Sequence, residues 1–176
     1  MKCFIIRKNC QLTGKIIIKW NIFKMTAIIS HNIRIVCTVN SKGHKIWRNK
    51  KGRIHRNHDL PAIIYADGTQ KWYKEDKYHR DNDLPAIIWS DGTQYWYKEG
   101  KLYRDNDLPA VIWSDGDKCW FKEDKIHRDN DQPAVIYASG TQEWYKEGLR
   151  HRDNDLPAVI YPDNRKEYWI NGIKIK

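Results

Sequence analysis

The sequence predicts an all-β protein, an elongated single-layer antiparallel sheet of stacked 24-residue hairpin repeats preceded by a short basic N-terminal segment. Three observations lead there. Pro61, Pro85, Pro109, Pro133 and Pro157 stand 24 residues apart without insertion or deletion, and self-similarity at such a period marks a repeat architecture. Each unit consists of β-branched and aromatic runs divided by turn residues. Hydrophobic positions at helical spacing are hard to find.

Taken in order, the chain divides into three parts. Residues 1–32 form a basic segment, expected to be weakly ordered, with Met25 offering a shorter start. Residues 33–54 read as a degenerate capping repeat, because Cys37–Gly43, Trp47 and His55-Arg56 reproduce the landmarks of later copies without the proline. That copy carries one extra residue between Trp47 and His55, and terminal repeats are often atypical because one face has no neighbour. Residues 55–176 hold five copies that overlay position by position.

Within a copy, Pro61-Ala-Ile-Ile-Tyr65 is a strand, and Asp67-Gly68 is a strong hairpin signal. Thr69 to Lys74 returns as the second strand. Glu75-Asp76 makes another turn before the His-Arg element. The run Asp81-Asn82-Asp83-Leu84-Pro85 is expected to be a turn held by side chains bonding their own backbone, with the proline ending strand pairing.

Charge is unevenly placed. Residues 1–55 contain 13 Lys or Arg and no acid, whereas residues 56–176 carry 19 basic and 22 acidic residues, so the net charge of +10 belongs to the N-terminal third. Lys2, Arg7, Lys8, Lys15, Lys19, Lys24 and Arg34 head the basic segment. With Phe4, Trp20, Phe23 and Trp47 interleaved, it could hold phosphates of nucleic acid or anionic lipid; the alternative is a lysine-rich leader without such a role. Cys3, Cys10, Cys37 and Cys119 show no disulfide or zinc spacing, which favours a reducing compartment. Without a transmembrane-length apolar run or a small-residue cleavage site near the start, the expectation is an intracellular protein.

Three aromatic columns run down the copies. One is Tyr65, Trp89, Trp113, Tyr137 and Tyr161; a second is Trp72, Trp96, Trp120, Trp144 and Tyr168; the third is Tyr73, Tyr97, Phe121, Tyr145 and Trp169. Neighbouring strand residues point to opposite faces, so the second and third columns must lie on opposite sides. One is expected to stack as a core ladder between copies and the other to lie on the far face, partly covered by Lys and Ile side chains. No copy can bury enough apolar surface alone, so stacking must supply the stability.

The stretch Tyr65-Ala-Asp-Gly68, Trp72-Tyr73 and Lys77-Tyr-His-Arg80, with Trp89-Ser-Asp-Gly92 and Gly100-Lys-Leu-Tyr-Arg104 in the next copy, resembles the membrane occupation and recognition nexus (MORN) repeat. The resemblance covers residues 55–172 and, through the decayed copy, reaches about residue 33. It departs in replacing the family's Tyr-x-Gly-x-Trp strand by Trp-Tyr-Lys-Glu and its glycine-rich corner by Asp-Leu-Pro-Ala. It is similar to divergent MORN-type repeats of large DNA viruses and some bacteria, and the abundance of Lys, Ile and Asn suits an A/T-rich genome. The resemblance implies a single-layer sheet used for protein contact or, in some members, phospholipid contact, in host cytoplasm or virion if the source is viral.

Repeated Arg-Asp-Asn-Asp clusters at Arg80, Arg104, Arg128 and Arg152 raise calcium, but the further ligands and set glycine of an EF-hand are missing. An arginine bridge to an acid of the next copy is the favoured account. His55, His79, His127 and His151 share a column that Tyr103 interrupts, whereas catalysis needs one asymmetric constellation. No catalytic residue, metal or cofactor is expected. The leading function is a non-catalytic scaffold for a protein partner, with self-association through sheet edges as an option. The alternative is attachment to anionic membrane or nucleic acid through residues 1–55. A small-ligand or carbohydrate binder is a third reading, because Gly-x-x-x-Trp-Tyr hairpins are superficially similar to choline-binding repeats.

Overall fold

The computed structural model describes residues 35–176 in full and, before them, the backbone of two strands, Ile16–Asn21 and Lys24–Ile29. Lys2, Arg7, Lys8, Lys15 and Arg34 lie outside the described residues, as do the side chains of Lys19 and Lys24. Every regular element among the described residues is a strand. A fourteen-stranded antiparallel sheet of consecutive hairpins carries the whole array, which makes the protein all-β as the repeats predict.

Each copy contributes four two-residue strands, in the first copy Ile63–Ile64, Gln70–Lys71, Tyr73–Lys74 and Lys77–Tyr78. The first two join the long sheet, while the last two pair only with each other, so five small hairpins form a second track beside it. Thr69–Lys74 is therefore two strands, where the sequence suggested one. The break falls at Trp72, whose N–H leaves its own copy to donate to the Ala86 carbonyl at 2.8 Å, while its carbonyl accepts the His79 N–H at 3.2 Å. Ala62, Ala86, Ala110, Ala134 and Ala158 are fully buried at these crossings, where a larger side chain would have no room.

Turn chemistry explains the punctuation. Tyr65 N–H donates to Thr69 O at 2.9 Å and Gly68 N–H to Tyr65 O at 3.1 Å, a three-residue loop with Gly68 at φ +93°. Asp67 caps it by accepting the Thr69 N–H at 2.9 Å. In the next turn both central residues are left-handed, Glu75 at 51° and Asp76 at 68°, as the two-residue hairpin of right-twisted strands requires. Asn82 and Asp83 are also both left-handed, at 61° and 54°, and Asn and Asp are the non-glycine residues that tolerate this best. The Asp81–Asp83 turn is not held by side chains bonding their own backbone. Its carboxylates reach instead to His79 and Arg104, because side-chain donors lie within range and bonds to an ionised carboxylate are strong.

Residues of the decayed copy occupy the same positions. Asn40 and His44 close its first loop as Tyr65 and Thr69 do, and Trp47 N–H donates to Ala62 O at 2.8 Å. The extra residue lies in the turn from Asn49 to Arg53, which closes around Gly52 at φ +79°.

Successive copies are held by one arrangement. Arg80 forks the Asp59 carboxylate, Nε to Oδ1 at 2.7 Å and Nη2 to Oδ2 at 2.8 Å, and its guanidinium lies 3.8 Å above the Trp72 ring. Trp72 Nε1 donates to the Asp59 carbonyl at 3.2 Å. The same set recurs at Arg104, Asp83 and Trp96, at Arg128, Asp107 and Trp120, and at Arg152, Asp131 and Trp144. The acid belongs to the preceding copy, opposite to the direction expected, because the His-Arg element folds back under the previous tryptophan. Tryptophans are layered with guanidinium groups, where a ladder of rings on rings was expected.

Smaller ties repeat at the same period. His79 Nδ1 accepts the Glu99 N–H at 3.1 Å, which leaves Nε2 to carry the proton shared with Asp81 at 2.9 Å. His127 and His151 do the same with Glu147 and Asn171. Thr69 and Thr93 accept the N–H of Ser90 and Ser114 in the following copy, both at 3.2 Å, and Asp117 accepts that of Ala138 at 2.7 Å. Pro162, at the next such position, has no N–H to give.

Two outcomes follow for stability. Arg128→Ala removes a forked ion pair, a stacked cation and a bond to Pro133 O, so the urea midpoint should fall by the equivalent of about 2–3 kcal/mol, with Arg128→Lys restoring little of it. Hydrogen bonds from arginine hold the carboxyls of Asp59, Asp83 and Asp131 below the usual carboxylate range. The unfolded chain then binds protons first as pH falls, so this stability is complete above about pH 5 and drains away below about pH 4. Urea midpoints measured from pH 7 to pH 2 should trace that decline.

Candidate functional site

Register places one row of side chains across the long sheet. Ile63, Lys71, Ile87, Tyr95, Val111, Cys119, Val135, Glu143, Val159 and Glu167 are consecutive cross-strand partners. Partners directly opposite share a face, so this row is a single stripe. First-strand positions are always Ile or Val. Second-strand positions change from copy to copy, as Lys71, Tyr95, Cys119, Glu143 and Glu167.

Two of the three aromatic columns flank the stripe. Val111, Cys119 and Val135 form a buried cluster against which Trp113, Tyr137, Phe121 and Tyr145 pack, together with Tyr95, Leu102 and Ile126. Tyr73 and Tyr78 stack with centroids 4.4 Å apart, and Tyr78 continues to Tyr97 at 4.9 Å. Tyr65, Trp113, Tyr137, Tyr161, Tyr73, Tyr97, Phe121, Tyr145 and Trp169 are half-buried, and Trp89 is 39% exposed. A long aromatic band thus meets solvent along one side.

Trp72, Trp96, Trp120 and Trp144 differ. They are only 6–7% exposed, closed over by arginine on the other side of the chain, as the alternation of strand residues requires. Between copies on that side lie shallow recesses of 190–290 Å³, lined by the His, Arg, Asp and Trp residues of the interlock. In the Asp-Asn-Asp runs the two acids are engaged by different partners, so they do not converge on a common point.

Electrostatics vary along the band. At one end Lys71 Nζ lies 5.0 Å from the Tyr65 ring centroid, 5.7 Å from Tyr78 and 4.9 Å from Trp89. The middle is apolar. Further on, the buried Glu143 is bonded by Arg150 at 2.9 Å and by the Tyr145 hydroxyl at 2.9 Å. Burial and the bond to Glu143 push the Tyr145 hydroxyl up to about 12. Glu167 is bonded by Lys174 at 2.7 Å and by Trp169 Nε1 at 2.9 Å.

Sequence columns located the aromatic members of this face but not Lys71, Tyr78, Leu102, Ile126, Glu143 or Arg150. Their signal was present: in copies otherwise nearly identical, the second-strand position and its neighbour in the small hairpin are among those that change. A scan against protein-family models finds no match to the chain, and a search of curated proteins finds none.

Cys119 sits at the centre of the face, and burial pushes its thiol up to about 12. Folded protein at pH 8 should leave Cys119 unalkylated by iodoacetamide over hours, with labelling appearing only in denaturant; mass spectrometry of the peptide reads the difference.

Proposed function

We propose that the chain is a divergent MORN-type, non-catalytic repeat scaffold that captures a protein partner on its aromatic face. One contrast carries this reading. The interlock of Trp, Arg and Asp is repeated in successive copies, whereas the face beside Tyr65, Trp89, Trp113, Tyr137 and Tyr161 changes from copy to copy, at the half-buried Lys71, Tyr95 and Glu167, at the half-buried Tyr78, Leu102, Ile126 and Arg150, and at the buried Cys119 and Glu143 beneath them. Parts that only hold copies together have no reason to differ; a surface read by one partner does. Aromatic side chains that are partly exposed and already packed supply contact area at low ordering cost. Action inside the cell, in a reducing compartment, belongs to the same proposal.

A second reading rests on a separate observation. Lys42, Lys45, Lys50 and Lys51 of the capping copy have no carboxylate partner among the described residues, and they belong to the 13 basic residues that residues 1–55 carry without an acid. Such a stretch would hold nucleic acid or anionic lipid by phosphate contacts that weaken steeply with salt.

Affinity capture with the full chain separates the two. Under the scaffold reading, a stoichiometric protein stays bound as salt is raised and is lost with Trp89→Ala plus Trp113→Ala, while the melting transition of that variant remains cooperative. Nucleic acid or lipid released by salt and indifferent to the aromatic change would transfer the function to residues 1–55.

A further inference from the structure

On the reading that the aromatic face receives a protein, we infer that its occupant is an extended acidic-then-apolar peptide segment, whose carboxylate sits on Lys71 and whose apolar residues lie over Leu102, Phe121 and Ile126. Charge balance on the face points there. Arg150, Arg165 and Lys174 are each paired with a carboxylate, at Glu143, Asp163 and Glu167. Lys71 is different. Among the described residues its ammonium has no acid partner, only the Tyr78 hydroxyl at 3.5 Å and the faces of Tyr65, Tyr78 and Trp89.

Half-burial makes this position selective. The residue is half-buried with three rings about its ammonium, so a carboxylate arriving there forms a charged hydrogen bond beside apolar surface. A second cation in the same place would meet like charge, and an apolar group would strip the remaining water from Lys71 without replacing it. An acid is therefore the group that this cluster of two tyrosines and a tryptophan discriminates for.

Spacing sets the rest of the motif. Four consecutive strand pairings lead from Lys71 through Ile87, Tyr95 and Val111 to Cys119. At about 4.8 Å per strand that is about 19 Å, and an extended segment covers about 3.3 Å per residue. The acid and the apolar group over the centre of the face should then stand about six residues apart. Where the segment reaches the middle it meets Leu102, Phe121 and Ile126, which pack around the buried Val111, Cys119 and Val135 and present no charge. The pairing of Glu143 with Arg150 beyond them marks the end of the neutral stretch.

Panning the immobilised full chain with a random dodecapeptide library displayed on phage tests the motif. Enriched sequences should carry Asp or Glu about six positions from two or more large apolar residues. The corresponding synthetic peptide should bind Lys71→Glu about tenfold or more weakly, and replacing the peptide's acid by lysine should recover binding to that variant. Lys71→Gln, expected to lose affinity severalfold, stands in should Lys71→Glu fail to melt cooperatively. Apolar peptides without an acid, bound equally by the Lys71 variants and lost with Trp113→Ala, would overturn the acid assignment while leaving the face as the interaction surface. An absence of enrichment, or peptides indifferent to both Lys71 and Trp113, would overturn the face itself.

Discussion

The layering of an arginine between a tryptophan of one copy and the acid before it is the interaction on which the array depends. A copy of four two-residue strands makes too few hydrogen bonds and buries too little surface to stand alone. Arg80 converts that weakness into a regular joint. Its plane covers the Trp72 ring, its fork satisfies Asp59, and Nη1 reaches the Pro85 carbonyl at 3.3 Å. Lysine could offer charge but not the planar fork and the stacked surface together. Trp72 Nε1, which burial would otherwise strand, is satisfied by the Asp59 carbonyl.

Placing the joint on one side frees the other. Because Trp72 and Tyr73 are adjacent in an extended backbone, burying the tryptophans beneath arginine turns the neighbouring aromatic column to the opposite side. There the residues need only be compatible with Ile or Val across the strand. Lysine, tyrosine, cysteine and glutamate are all accommodated at one position, each with its own local solution: rings about Lys71, an aliphatic neighbourhood for Cys119, and Arg150 with Tyr145 for Glu143. Glu143 shows what that tolerance costs, since a buried carboxylate is stable there only with both donors present. An array of this kind can vary the residues of one face without altering how it stands.

Much of the architecture was legible in the chain. The proline period gave the number of copies, Asp-Gly and Glu-Asp gave the turns, and β-branched pairs gave the strands. Even the extra residue after Trp47 found its place in a turn, where an insertion is least costly. Other features were not legible. The break at Trp72 comes from an N–H bonding the next copy, and no local propensity encodes a partner that far along the chain. The direction of the Arg–Asp bridge was equally hidden, because a period of 24 residues makes the preceding and following acids indistinguishable in sequence. For the site, columns of aromatics stood out by type, whereas Lys71 and Arg150 look like ordinary exposed cations until the register is known.

What the sequence by itself determined is the repeating β architecture, since period, turn residues and alternation are local properties written into each copy. It also determined that the two adjacent aromatic columns must part to opposite sides, a consequence of the extended backbone alone. Only the tertiary structure decided which column would be closed over and which left to solvent. That choice depends on where the arginine of the following copy folds back, and the position is set by hydrogen bonds between copies that no single copy contains.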